Sequence, residues 1–139
     1  MSRSTFISAS PALPIGRNRS GLIALWVLQV GLATLFLFAG GSKLAGAPAM
    51  VALFEAIGVG QWFRYLTGLI EVISAVALLV PALAPFGALL LVPTMIGAIA
   101  THLFIAGGSP GLPVLLLLGL VAVVWARRDR LSAVLPTVR

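Results

Sequence analysis

The chain contains no cysteine, a single histidine and only three acidic residues in 139. Without cysteine there can be no disulfide, no thiolate catalysis and no Cys-held zinc or iron–sulfur cluster. A single histidine excludes bis-histidine haem ligation, and one His with one Glu at membrane depth cannot fill a tetrahedral shell, so no metal is expected. Charge of either sign is scarce: 9% of residues are charged, against roughly 25% in a soluble domain. Neither a glycine-rich phosphate loop nor a nucleophile triad is present, so catalytic residues are not assigned. What fills the chain is apolar. Hydrophobic residues make up 60%, and the mean hydropathy is +1.16. A domain of this size exposes too much of its surface to hide that content from water. A soluble enzyme, a disordered chain and a nucleic-acid module are excluded, and no nucleic-acid partner is expected despite the net charge of +6. The remaining class is an integral membrane protein. Its unbroken apolar runs favour helices over the alternating strands of about 10 residues that build a barrel.

The runs predict an all-α, four-helix membrane bundle. Residues 1–20 are polar and rich in Ser, Pro and Arg, and read as a mobile cytoplasmic tail. The spans fall at about 22–41, 65–83, 86–106 and 112–126, each judged against the ~20 residues that cross about 30 Å. The first is too long for a signal-peptide core of about 7–15 residues and is taken as an uncleaved anchor. Ala49–Ile57, with Pro48 before it and Gly58 or Gly60 after it, predicts a short interfacial helix between spans one and two. Trp62, Phe63, Arg64 and Tyr65 then mark a membrane–water boundary. Pro81 and Pro85 bracket a short turn, and Pro93 is expected to kink span three. Residues 107–111 (GGSPG) form a turn before the shortest span. Residues 128–139 form a basic tail.

Seven basic residues lie in the two terminal segments: Arg3, Arg17, Arg19, Arg127, Arg128, Arg130 and Arg139. Only Lys43 and Arg64 lie between the first two spans. This asymmetry predicts that both termini are cytoplasmic, which requires an even number of spans. The C-terminal arginines could also touch anionic lipid.

The few polar side chains within the spans carry the functional reading. An ionisable group at membrane depth costs several kcal/mol unless it is paired. Arg64, Thr67, Gly68, Glu71, Ser74 and Ala75 recur at helical spacing and form one stripe. Gln29, Ala33, Phe36, Gly40 and Lys43 form a second; Thr94, Ala98, Thr101, His102 and Ile105 a third. At about 1.5 Å per residue, Glu71 lies roughly 9–13 Å and His102 about 6–8 Å below the outer boundary. Lys43 sits at that boundary and can reach inward. Glu71, His102 and Lys43, with Arg64, Thr101 and Gln29, are the candidate ligand-binding residues. Two readings follow: a pocket for a lipophilic ligand, or an ion-pair cluster that only locks three helices. For Gln29 the plainer reading is interhelical hydrogen bonding.

The segments FLFAGGSKLAGAP (36–48), FEAIGVGQWFR (54–64), GLIEVISAVALLVP (68–81) and MIGAIATHLF (95–104) resemble the DoxX family, in particular its short DoxX-like branch. The resemblance rests on Ala39, Gly40, Lys43 and Leu44, then Gly68 and Glu71, then Gly97, Ala98, Thr101 and His102. It covers about residues 20–127. It implies a four-helix protein of the bacterial inner membrane associated with redox metabolism; the family takes its name from a subunit of a thiosulfate:quinone oxidoreductase. Joined to the polar stripes, it gives the expectation of a site for a quinone or similar lipophile near Glu71 and His102. Lipids are expected around the chain; a redox protein partner and a homo-oligomer are both open. The runner-up is a non-enzymatic membrane partner or assembly factor whose polar cluster is structural.

Overall fold

The computed structural model describes residues 18–134. The N-terminal tail read over 1–20 and the end of the basic tail therefore lie largely outside the described residues. Among the described residues every regular element is helical: α1 (Arg19–Leu44), α2 (Pro48–Ile57), α3 (Gln61–Leu78), α4 (Ala84–Thr101), α5 (Gly111–Ala126) and α6 (Arg128–Val134). A π-helical segment, His102–Ala106, continues α4. By length and apolarity, Arg19–Leu44 and Ala84–Ala106 can each cross a membrane. A third span results if α5 and α6, bent by 60°, are taken together.

Local chemistry explains the boundaries. Pro48 occupies the first turn of α2, where its missing N–H is no loss, and Gly58 ends that helix at φ 78°. The second apolar segment begins earlier than expected, at Gln61, so the aromatic cluster lies inside the first turn of α3. It also ends earlier, at Leu78, with turns over 79–83 instead of helix. Pro81 cannot continue the ladder, and a side chain from α1 takes up the Leu78 carbonyl, as described below. Pro93 lies inside α4, which runs on to Thr101. The basic segment after α5 starts as the helix α6.

α1 packs along α3 and against α5; α3 packs on α4, and α4 on α5. The shared core is aliphatic and aromatic: Leu32 and Phe36 from α1, Leu78 from α3, Leu91 and Met95 from α4, Leu120 from α5. Large apolar side chains also cover the exterior, among them Phe38, Ile73, Ile96, Phe104 and Leu115. Such a surface suits lipid and not water. α2 lies across one end, touching α1, α3 and the π-helical segment.

Candidate functional site

Two glycines set the geometry of the site. A Cβ on Gly40 would lie 2.8 Å from the Gly68 carbonyl oxygen, and one on Gly68 would lie 3.0 Å from the Lys43 Cβ. Only glycine lets α1 and α3 meet this closely. One turn beyond each glycine stand Lys43 and Glu71. Lys43 Nζ donates to both carboxylate oxygens of Glu71, at 3.0 and 2.8 Å. Glu71 is 1% exposed, so the pair joins the helices away from solvent.

Arg64 braces this pair from behind. Arg64 is 4% exposed, and its guanidinium donates to the Lys43 carbonyl and to Gln61 Oε1 (2.6 Å) and lies 4.2 Å over the Tyr65 ring. The last carbonyls of a helix lack internal partners and carry its negative end. Arg64 supplies both a donor and a cation there, which fixes the end of α1 that bears Lys43.

Beside the pair is a cavity of about 500 Å³, lined from α1, α2, α3, α4 and α5. Most of its wall is apolar, with Met50, Leu53 and Phe54 of α2 forming one side. Phe38, 76% exposed, lines it too, so the cavity reaches the molecular surface. Its polar lining comes from Ser42, Lys43, Thr67, Glu71, Thr101 and His102, with Thr94 on α4. Three hydroxyls donate to backbone carbonyls of their own helices: Ser42 to Phe38 (2.8 Å), Thr67 to Phe63 (3.0 Å) and Thr101 to Gly97 (2.9 Å). His102 opens the π-helical segment, a backbone variant frequent at functional sites. Its Nδ1 donates to the Ala98 carbonyl at 2.9 Å, because a carbonyl can only accept. That bond leaves Nε2 of the neutral ring as an acceptor.

Of the six candidates read from the sequence, Lys43, Glu71, Thr101 and His102 line this one cavity. Arg64 adjoins it through Lys43 without lining it. Gln29 is elsewhere: it precedes Lys43 by 14 residues, roughly 21 Å along α1. Gln29 Nε2 donates to the Leu78 carbonyl (2.6 Å), and its Oε1 accepts from Arg127 Nε (2.9 Å) and Nη2 (2.8 Å). Gln29 thus ties α1 to the ends of α3 and α5. Sequence reasoning missed Arg127 in this role, because a terminal arginine there reads as a topology charge. It also missed the part of α2 in the cavity wall; the apolar face of that helix was the available signal. Among the described residues no three His, Asp or Glu side chains converge to hold a metal.

Apolar helices with an exterior suited to lipid define a helical membrane protein, here with an apolar cavity that carries a few polar groups. The sequence pattern of the DoxX-like family matches residues 27–134, and the chain belongs to that family. Neither a curated protein nor a solved structure matches the chain significantly.

Proposed function

We propose that this chain is a redox-associated component of the bacterial inner membrane that binds a quinone-like lipophile in the cavity beside Lys43 and Glu71. In this reading α1, α3, α4 and α5 form a four-helix transmembrane bundle with both termini cytoplasmic. α3 crosses by turning its polar stripe inward, and α2 lies at the outer interface. The observation that carries the reading is the cavity itself. Its volume falls in the range of about 300–1,000 Å³ usual for ligand sites. It is apolar over most of its wall and polar where Thr101, His102, Lys43 and Glu71 meet it. A flat ring with a short apolar tail fits that division. Lys43 and Thr94, which keep donors free, would hold the ring's oxygens, Glu71 would set the charge beside them, Thr101 and His102 would line the site as acceptors, and α2 would exclude water. A bound quinone would supply two-electron, two-proton chemistry; the protein's part is binding, orientation and access, in service of a partner protein in the same membrane.

The runner-up draws on the Lys43–Glu71 pair, which joins α1 to α3 whether or not a ligand is present. In that reading the chain is a membrane partner or assembly factor and the pair is a lock. Extraction of small molecules from the purified protein, followed by mass spectrometry, separates the two. A defined lipophile in the wild type, lost in a Glu71→Gln variant of unchanged helicity and melting, supports the site. Bulk lipid alone in both, with early melting of the variant, supports the lock, since removing one partner strands a buried charge.

A further inference from the structure

The hydrogen-bonding groups on the cavity wall are unevenly divided. Ser42, Thr67 and Thr101 each place their one hydroxyl proton on a backbone carbonyl. His102 places its Nδ1 proton on Ala98. Lys43 directs two of its three protons at Glu71. The donors left over are the third Lys43 proton and the hydroxyl of Thr94. The acceptors left over are more numerous: the oxygens of Ser42, Thr67 and Thr101, the unused lone pairs of Glu71 and, in the uncharged form of the ring, Nε2 of His102. An acceptor-only ligand would find few partners here, and its own oxygens would face lone pairs. A hydroxyl-bearing ligand would find several acceptors around the cavity.

We infer that this cavity selects lipophiles that donate hydrogen bonds, so that a hydroquinone is held in preference to the corresponding quinone. The inference rests on the lipophile site proposed above and adds the chemical form of its occupant. His102 is the residue best suited to discriminate. Its ring is fixed by a bond within its own helix, so Nε2 is oriented before any ligand arrives.

The test uses the full chain in lipid nanodiscs, without oxygen, and three probes that share one ring and one tail: a decyl-substituted hydroquinone, its quinone and its dimethyl ether. Calorimetric titration should give about tenfold tighter binding of the hydroquinone than of either other probe, the ratio for one net hydrogen bond. His102→Phe should bring the ratio toward one while leaving helicity and melting unchanged. Equal or tighter binding of the quinone or the ether overturns the donor preference and leaves the lipophile site standing. Binding of none of the three overturns the site and the preference together.

Discussion

Lys43 Nζ lies 2.8 Å from Glu71 Oε2, across a helix contact that Gly40 and Gly68 make possible. The ion pair and the glycine contact are one device. The backbones must touch for a lysine at the end of α1 to reach a carboxylate in the middle of α3. The same contact shapes the cavity wall next to the pair.

Replacing Gly40 with alanine should therefore disturb more than packing. The new methyl would lie 2.9 Å from Val72 Cγ2 and 2.8 Å from the Gly68 carbonyl oxygen, a backbone atom that cannot swing away without moving α3. We expect a loss of about 1–3 kcal/mol, the usual cost of overpacking. Gly41→Ala, where nothing lies within 4 Å of the added carbon, should be neutral or stabilising by up to ~1 kcal/mol. Thermal melting of both variants in the same detergent checks the contrast.

The Gln29 network at the far end of α1 should behave as a separate structural unit. Gln29→Leu removes the donor to the Leu78 carbonyl and the acceptor for buried Arg127. A cost of about 1–3 kcal/mol in melting experiments is expected from the polar groups left short of partners. Ligand affinity should change by less than about twofold, because sites this far apart act nearly independently. A large loss of affinity at unchanged stability would contradict the separation.

Topology can be read chemically, because the chain has no cysteine of its own. In intact cells Ser109→Cys, in the turn before α5, should react with a membrane-impermeant maleimide. Ser132→Cys, on α6, should react only after the cells are opened. The reverse pattern would contradict cytoplasmic termini.

Much of this arrangement was legible in the sequence. Apolar runs and glycine or proline punctuation locate the helices, and helical spacing brings Lys43, Glu71 and His102 to one level. Span limits were less legible. The end of α3 depends on Gln29, 49 residues away from Leu78 in the chain, and no local pattern carries that bond. The burial of Arg127 is illegible for a related reason: charge at a helix end has a topological role by itself, and its 5% exposure appears only once α1 and α5 are packed. The π-helical segment at His102 has no sequence signature either. It lies where the end of α4 meets α2.

Occupancy of the cavity is the central claim, and Gly97→Leu tests it most directly. Gly97 lines the cavity, and a carbon added there meets nothing within 4 Å. Leucine would fill the space while improving helix propensity by roughly 0.5–1 kcal/mol. The measurement is the molar ratio of co-purifying lipophile to protein, by mass spectrometry, in wild type and Gly97→Leu of equal or higher melting temperature. The account predicts a defined lipophile near one per chain in the wild type and its loss in the variant. The same lipid complement in both proteins would contradict it.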